Sequence, residues 1–429
     1  MRMQRHLAPT AAPIALADFG HAIFSLFQAE PSRATLEAEI KRHFGIGHVF
    51  LLSSGKAALA TIVEAYQTMS ARRKVVIPAY TCYSVPSAIV RAGADVVLCD
   101  IDPHTLDFDF DQLARLVDGQ TLCIVSPHLL GQAADIGRAK EIGKPFGVPV
   151  IEDAAQAMGR KTREGWVGTL GDVGFFSLGR GKNVTAGSGG IIVTNSNGLA
   201  KSIAKIYDTV PEESIMRGMI NAIMVLVMTV LIQPRAYWLP AGLPFLGLGE
   251  TIYDPTFPIR RLDGLRAGLL KTWQRRLADS NENRARHAAG FLGRFRSEEA
   301  QLDPVRATGT AYLRLPVVMP TTAAKQKICA VGTDLGLGVS ALYPTPVSEI
   351  PELKAQFQGR QYPGAVTLAH RLITLPVHHF VDERDAERIC RVLHDIVVDT
   401  EANGTAGCGP KREASGAETG EPSVLKQGA

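Results

Sequence analysis

The sequence of 429 residues has few cysteines, and none of them forms a CxxC pair. The thiols are scattered along the chain, without the spacing of a metal site or of a small disulfide-bonded domain. We therefore expect free thiols in a reducing compartment and no metal centre. The cysteines are Cys82, Cys99, Cys123, Cys329, Cys390 and Cys408.

The sequence also lacks a strong charge of either sign. Lys and Arg number 46 against 42 Asp and Glu, a net charge of +4, which gives no sign of a nucleic-acid-binding surface. The first stretch of the chain has no uninterrupted apolar run of the length found in signal peptides. We therefore expect a cytoplasmic protein, and the length favours two domains.

One pattern repeats between about residues 44 and 195. A short β-branched or apolar run is followed by turn residues and then by an alanine-rich helical stretch. Strands that alternate with helices predict an α/β fold, a mostly parallel sheet covered by helices. Ligands bind such sheets at the carboxyl ends of the strands, so the polar residues that end these runs are candidates. They are Ser53, Ser54, Gly55, Asp153 and Ser177.

The pattern divides the chain into four regions. An N-terminal arm covers residues 1–43, and a large domain covers 44–262. A linking helix and a small α+β domain cover 263–400. Residues 401–429 are low in bulky apolar side chains, which predicts a disordered tail.

The segment Met219–Ile232 is almost wholly apolar and lies in an insertion over about 211–250. It is shorter than the roughly 20 residues that a membrane-spanning helix needs. Three interpretations remain open: a buried core or dimer-interface helix, a helix or hairpin that dips into a membrane surface over Met219–Gly249, or a true span. The second is favoured by the flanking residues Arg217, Arg235, Tyr237 and Trp238.

Residues 53–58, SSGKAA, follow one predicted strand and open an alanine-rich helix. Small residues there let backbone amides approach a phosphate, and the helix dipole favours an anion. A serine-capped turn without function explains the same residues. Asp153 ends another buried strand, where a charged side chain needs a partner. That partner is either a protonated pyridine nitrogen or the start of a helix that Asp153 caps. Gln156 follows on the next turn and faces the same way.

Ser177 ends a third strand, and Lys182 follows it in the glycine-containing loop SLGRGKN. A lysine in such a loop is commonly a solvated charge. In this context, however, Ser177 can donate to a phosphate while Lys182 reaches an aldehyde carbon. Together with Asp153, these residues meet the needs of pyridoxal 5′-phosphate (PLP): an imine-forming amine, a carboxylate for the ring nitrogen and a phosphate site.

The ordered motifs SSGKAAL, PAYTCYS, VIEDAAQAMG and VGTLGDVGFFSLGRGKN resemble the DegT/DnrJ/EryC1/StrS family of sugar-nucleotide aminotransferases. The resemblance is strong over about 44–195 and extends to RLITLPVHHFVDERDAERIC near the end. It implies a fold-type I PLP enzyme in which Lys182 forms the imine, Asp153 holds the pyridine nitrogen and Gln156 contacts the ring. It also implies phosphate contacts from Gly55, Lys56 (through its backbone), Ala57 and Ser177.

The resemblance further implies an activity. The family transfers an amino group from an amino donor, here expected to be glutamate, to a keto-sugar nucleotide for cell-surface, exopolysaccharide or related amino-sugar biosynthesis, as a homodimer with sites at the interface. Relatives that dehydrate sugars carry histidine in place of the lysine, and Lys182 argues against that reaction. The alternative from another class is a catalytically altered scaffold, or a membrane-associated protein of polysaccharide assembly.

The chain departs from the family at several positions around the expected site. Lys56 replaces a small hydroxyl residue beside the phosphate, and its side chain either supplies a charge or points outward. Cys82 stands where the family usually places an aromatic residue against the ring, and we expect Tyr80 or Tyr83 to compensate. The segment FPIRRLDG has two arginines but lacks the asparagine of the family's partner-subunit phosphate segment.

Other polar residues have non-catalytic explanations that we favour. His128 ends a strand near the cleft and is expected to be a hydrogen-bonded structural histidine. His378 and His379 are expected to form a surface pair. Asp100 and Asp102 lie in an Asp-Pro turn that explains them without an acid–base role.

Overall fold

The computed structural model describes residues 5–14, 16–243, 249, 251–297, 303–305 and 312–405. The strands are β1 His48–Leu52, β2 Lys74–Pro78, β3 Asp95–Cys99, β4 Ile101–Asp102, β5 Asp107–Phe108, β6 Thr121–Pro127, β7 Val150–Asp153, β8 Val173–Ser177, β9 Gly190–Thr194, β10 Asp303–Pro304, β11 Leu315–Val318 and β12 Leu372–Leu375. The helices are α1 Leu16–Leu26, α2 Ala29–Phe44, α3 Gly55–Met69, α4 Ser84–Arg91, α5 Phe110–Leu116, α6 Ile136–Gly143, α7 Asn197–Thr209, α8 Ile215–Leu231, α9 Trp238–Ala241, α10 Gly264–Leu269, α11 Trp273–Ser297, α12 Thr322–Asp334, α13 Pro363–Arg371 and α14 Glu383–Thr405.

The central sheet has the strand order β1-β9-β8-β7-β6-β2-β3. The strands from β8 to β3 pair in parallel, and β9 is antiparallel to both of its neighbours. Every residue of β6 and β9 is buried, as expected for strands rich in Val, Ile and Leu that are covered on both faces. The α/β class with a mostly parallel sheet is therefore confirmed.

Helices cover both faces of this sheet because each has an apolar side to bury. On one face α3, with its run of alanine, leucine and isoleucine, packs with α4 and α7 in the largest core cluster. On the other face α1, α2 and α10 pack around Phe44 and Trp273. The sheet is thereby shielded from water, and polar residues gather where its strands end.

The C-terminal part builds a second, antiparallel sheet in the order β10-β11-β12. Helices α11, α12 and α14 pack against it in a separate core cluster. The segment between Tyr343 and Ala369 instead packs into the large core, and α10 packs on α1 and α2. The division at residues 262/263 therefore stays a prediction. Helix α14 runs to Thr405, and the rest of the predicted tail, 406–429, lies outside the described residues.

Helix α8 carries its apolar side chains on the outside of the molecule. Nine of them are between 43% and 71% exposed, whereas Gly218 and Val225 are the buried positions. Burial in the core of this chain, one half of the first interpretation, is therefore wrong, and its other half, a dimer-interface helix, stays a prediction. No helix among the described residues is long and apolar enough to cross a membrane. The nine are Ile215, Met216, Met219, Ile220, Ile223, Met224, Leu226, Val227 and Val230.

Candidate functional site

The predicted site residues other than Ala57 meet in one cavity of about 560 Å³ at the carboxyl ends of the parallel strands. Strands β7 and β8 are paired in parallel, so the ends that carry Asp153 and Ser177 lie side by side. The turn after β1 joins them from the same edge. The cavity is lined by residues that include Ser54, Gly55, Lys56, Asp153, Gln156, Ser177 and Lys182.

The start of α3, where the sequence predicts phosphate contacts, forms one side of the cavity. Ser54 is the N-cap, and its Oγ accepts a hydrogen bond from the N–H of Ala57 at 3.1 Å. A Cβ on Gly55 would stand 3.0 Å from the Cβ of Ser177, so only glycine lets the helix approach this strand end. The first N–H groups of a helix lack intrahelical partners, and those of Gly55 and Lys56 are available to an anion. Ala57 is fully buried, and its N–H is already engaged.

The side chain of Lys56 is held away from the phosphate position. Its Nζ lies 3.2 Å from a carboxylate oxygen of Asp254 and 4.4 Å from the ring centre of Phe257. Hydrogen bonds from Thr256, helped by Lys56, lower the pKa of Asp254 to about 2. Lys56 lines the cavity with its side chain paired to Asp254, and the choice between the two expectations for it stays open.

Asp153 and Lys182 form the charged floor of the cavity. One oxygen of Asp153 accepts the N–H of Ala155 at 3.0 Å, and no described residue donates to the other oxygen. Burial raises the pKa of Asp153, and the neighbouring Lys182 partly opposes that rise. Burial lowers the pKa of Lys182, against the raising influence of Cys82 and Asp153. A buried amine that loses its proton readily is suited to nucleophilic and general-base chemistry.

Gln156 is fixed by two hydrogen bonds. Its Oε1 accepts the N–H of Leu130 at 3.0 Å, and its Nε2 donates to the hydroxyl of Tyr343 at 2.9 Å. Tyr343 also lines the cavity, from the segment that returns from the C-terminal part of the chain. The sequence gives no sign of Tyr343, because only the tertiary fold brings it beside Gln156.

Two arginines from the C-terminal part lie near Lys182. Arg284 of α11 is 1% exposed and donates to the carbonyl oxygens of Ala11 (2.8 Å), Lys182 (3.4 Å) and Leu313. Burial, with the nearby charge of Arg314, lowers the pKa of Arg284 to about 9. Arg314 lines the cavity itself. Among many arginines at helical spacing, the sequence does not mark either one.

Neither tyrosine compensates for Cys82. Cys82 lines the cavity, with its Sγ 3.6 Å from the hydroxyl of Thr251. Tyr80 is fully buried, and its hydroxyl points to the carbonyl of Tyr343 at 3.4 Å. Tyr83 is buried as well, and its hydroxyl contacts Thr345 at 2.7 Å. The expectation of an aromatic substitute was wrong because both rings are anchored in the core beneath the cavity.

The arginines of FPIRRLDG stay with their own chain. Arg261 lies 3.4 Å from Glu212 and donates to the carbonyl of Tyr207 at 3.1 Å. The N–H of Ser53 donates to the carbonyl of Arg260, and the N–H of Arg260 donates to the hydroxyl oxygen of Ser53. The guanidinium of Arg260 lies near Glu213. This segment therefore braces the turn after β1 and does not line the cavity.

His128 is a structural histidine, as expected. Its Nδ1 accepts the N–H of Ala134 at 3.0 Å, so its Nε2 carries the proton. That nitrogen donates to Glu152 at 3.0 Å, and both side chains are fully buried. Glu152 belongs to β7 and His128 follows β6, so their hydrogen bond ties the strand that ends in Asp153 to the end of its neighbour.

The surface-pair interpretation of His378 and His379 is wrong for His378. His378 is 1% exposed, and its Nε2 donates to the carbonyl of Ala8 at 2.8 Å, a partner 370 residues away. Asp100 accepts the N–H groups of Gly364 and Ala365 at the start of α13. Asp102 accepts the N–H of His104 at 2.8 Å, the local turn contact expected from sequence.

The chain matches a family model and several known proteins. The model of the DegT/DnrJ/EryC1/StrS aminotransferase family matches residues 25–217 and 259–394. An L-glutamine:2-deoxy-scyllo-inosose aminotransferase of Streptomyces kanamyceticus is 38% identical over 36% of this chain and 36% of its own length. A UDP-N-acetyl-3-dehydro-α-D-glucosamine 3-aminotransferase of Acidithiobacillus ferrooxidans is 26% identical over 83% of this chain and 86% of its own.

Among solved structures, PseC of Helicobacter pylori, an aminotransferase of pseudaminic acid biosynthesis, aligns with a TM-score of 0.74 at 16% identity, over 92% of this chain and all of that one. That likeness shows the fold. The chain spans about a third to a half of the length of the first curated relatives that it matches. The family match covers well over half of the chain. The chain therefore belongs to the DegT/DnrJ/EryC1/StrS aminotransferase family.

Proposed function

We propose that the protein is a PLP-dependent aminotransferase that moves an amino group from an amino acid, glutamate, to a keto-sugar nucleotide in polysaccharide or related amino-sugar biosynthesis. One observation carries the proposal. Lys182 is a partly buried amine whose pKa is lowered by desolvation, and it lines one cavity with Asp153 and the start of α3. Nucleophile, ring-binding carboxylate and anion site occur together as the reaction requires.

The residues present fit PLP. The close approach of Gly55 to Ser177 leaves backbone N–H groups open toward an anion. The second oxygen of Asp153 has no donor among the described residues, so it can accept the N–H of a protonated ring nitrogen. A cavity of about 560 Å³ lies within the range of small-ligand sites, roughly 300–1,000 Å³.

When bound, PLP supplies the electron sink that weakens a bond at the amino acid's α-carbon. Lys182 would attach the cofactor through its Nζ and, once free, would take the α-proton of the amino donor on that nitrogen and later return it. Its lowered pKa favours the neutral amine that this task needs. Asp153 keeps a proton on the ring nitrogen, and Gln156, locked by Leu130 and Tyr343, orients the ring.

The experiment for this proposal is amine transfer from ¹⁵N-labelled glutamate to a panel of keto-sugar nucleotides, read by mass spectrometry. We expect label in one member of the panel and none with Lys182→Ala. The control Lys201→Ala removes an exposed lysine of α7 and should transfer label as the wild type does. A cofactor-loaded wild type that labels no sugar with any amino donor would refute the proposal and favour the scaffold alternative.

We also infer a homodimer, as the family resemblance implies. In this chain Lys56 is held by Asp254, and Arg261 is held by Glu212, so these cations do not reach the anion side of the cavity. A partner subunit can supply a side chain there. Light scattering should give twice the chain mass, and a monomer that retains full activity would contradict the inference.

For helix α8 we propose contact with a membrane surface. At 100° per residue, its nine exposed apolar residues span about half of the helix circumference, and none is charged. Arg217, Arg235 and Trp238 flank this face as interfacial anchors do. Tyr237 does not, because it is buried and lines the cavity. Residues 218–258, which include most of α8, lie outside the part of the chain that the family model matches.

Co-sedimentation with vesicles containing anionic lipid tests the contact. The double variant Ile223→Ser/Val227→Ser should lose most vesicle binding. Met69→Ser, at a residue 55% exposed on α3, is the matched control and should keep it. If the double variant instead loses a dimer while vesicle binding is absent throughout, a second copy covers this face and the membrane proposal fails.

A further inference from the structure

Among the described residues, Arg314 is a cation without an anionic partner, and it lies in the cavity that holds Lys182. Its Nε is buried and has no hydrogen-bond partner in the described part of the chain, and its Nη1 makes one long contact, 3.4 Å, to the hydroxyl of Ser340. No carboxylate of the described residues lies within ion-pair distance of this guanidinium. The accessible part of the Arg314 side chain faces the cavity, which Lys182 also lines.

A comparison with Arg284 shows that the lack of hydrogen-bond partners at Arg314 is unusual. Arg284 is fully buried, whereas Arg314 is partly buried, yet three backbone carbonyl oxygens accept from the guanidinium of Arg284. Burying a charge without a partner is costly, and such a group persists where a ligand completes it. Burial lowers the pKa of Arg314, in keeping with an environment that lacks a neutralising group. An anionic ligand is the missing partner.

The surroundings of Arg314 indicate which anion this is. It interacts electrostatically with Cys82 and Tyr343 and is close enough to Lys182 to lower that residue's pKa. These residues lie at the ring position, whereas the phosphate position lies at Gly55 and Ser177. The anion that Arg314 meets is therefore carried by the substrate and not by the cofactor.

Two substrate anions are candidates, the α-carboxylate of the amino donor and the diphosphate of the sugar nucleotide, and their chemistry distinguishes them. An α-amino acid must bring its amine to the position of the Lys182 amine, and its α-carboxylate is attached to the same carbon. A cation next to Lys182 is thus within reach of that carboxylate. The diphosphate of a sugar nucleotide is separated from most keto carbons by the sugar ring and arrives farther from the lysine.

We propose that Arg314 binds the α-carboxylate of the amino donor and so selects α-amino acids over simple amines. The inference rests on the proposed aminotransferase function and names the donor-binding residue of the same site. Arg314 forms no covalent bond and moves no proton. It positions the donor so that the α-hydrogen faces Lys182.

The test compares Arg314→Gln and Arg314→Lys with the wild type. Loss of a charge-assisted hydrogen bond predicts a rise of roughly 10- to 100-fold in the KM for glutamate with Arg314→Gln. Arg314→Lys should recover part of that loss, and the KM for the sugar nucleotide should stay unchanged. Arg286→Gln makes the same charge change on a side chain that is 64% exposed on α11, and should behave as the wild type.

Two further readouts do not depend on turnover. Succinate, which has carboxylates but no amine, should bind the cofactor-loaded wild type and bind Arg314→Gln roughly 10- to 100-fold more weakly by calorimetry. The pH midpoint of the visible absorbance of the bound cofactor should move upward in Arg314→Gln, because a positive charge beside Lys182 is removed. The pH midpoint should stay unchanged in Arg314→Lys, which keeps the positive charge. Circular dichroism checks that each variant is folded.

The outcomes are distinct. Glutamate KM and succinate affinity within twofold of the wild type in a folded Arg314→Gln would overturn the proposal. So would a rise confined to the KM of the sugar nucleotide. If the wild type transfers no amine but succinate binding still depends on Arg314, the aminotransferase function fails and the carboxylate site stands.

Discussion

Glu152, the neighbour of Asp153 on β7, offers a stability prediction that follows from counting hydrogen bonds. Its carboxylate is fully buried and receives four donors. Oε2 accepts from Gly168 N–H (2.7 Å) and His128 Nε2 (3.0 Å), and Oε1 accepts from the N–H groups of Leu170 and Gly171. A carboxylate can accept all four, because it has no hydrogen of its own.

The change Glu152→Gln preserves shape but replaces one acceptor oxygen by an NH₂ group. Whichever way the amide is oriented, two buried donors then face another donor. His128 cannot relieve this by moving its proton, because its Nδ1 accepts from Ala134. Each unpaired buried donor costs about 1–3 kcal/mol, so we expect a loss of roughly 2–6 kcal/mol in the free energy of unfolding.

Urea denaturation followed by circular dichroism measures the loss. Glu282→Gln, at an exposed glutamate that pairs with Arg286, is the control and should change stability by less than about 0.5 kcal/mol. Because the turn over 168–171 leads into β8, the Glu152→Gln protein should also hold the cofactor less tightly. A midpoint equal to that of the control would refute the hydrogen-bond argument.

Two other residues allow similar predictions. Burial lowers the pKa of His378 to about 3, so as the pH falls below about 6.5 the unfolded chain takes up a proton on this residue before the native state does. The free energy of unfolding is therefore highest above about pH 6.5 and decreases as the pH drops toward 3. His378→Asn should flatten that slope in acid-unfolding curves, and an unchanged slope would contradict the assignment. Arg284→Met leaves three carbonyl oxygens without their donor, so we expect the free energy of unfolding to fall by about 3 kcal/mol or more and the cofactor at Lys182 to be held less tightly. Arg284→Lys should recover part of both losses. An Arg284→Met protein as stable as the wild type would show that these hydrogen bonds do not stabilise the fold.

The part of the site built from consecutive strand ends could be predicted from the sequence. Asp153, Ser177 and Lys182 are each placed by the strand that precedes them, and parallel pairing then brings the strand ends together. The turn that contains Gly55 is placed in the same way by the strand before it, β1. Local pattern is sufficient because the sheet itself defines the distances between these residues.

The rest of the site depends on contacts between distant parts of the chain. Tyr343 and Arg314 enter the cavity from the C-terminal part, and His378 is buried by Ala8 at the opposite end of the sequence. No periodicity marks such residues. The exposure of α8 is a related case, because an apolar run shows that a helix avoids water but not which surface covers it.

The central claim is that Lys182 is the cofactor-binding lysine, and covalent trapping tests it most directly. The PLP-loaded protein is reduced with borohydride, digested, and analysed by peptide mass spectrometry. The account predicts a pyridoxyl group on the peptide that contains Lys182, and none in Lys182→Ala. A label on Lys56 or another lysine, or a wild type that takes up no cofactor, would contradict it.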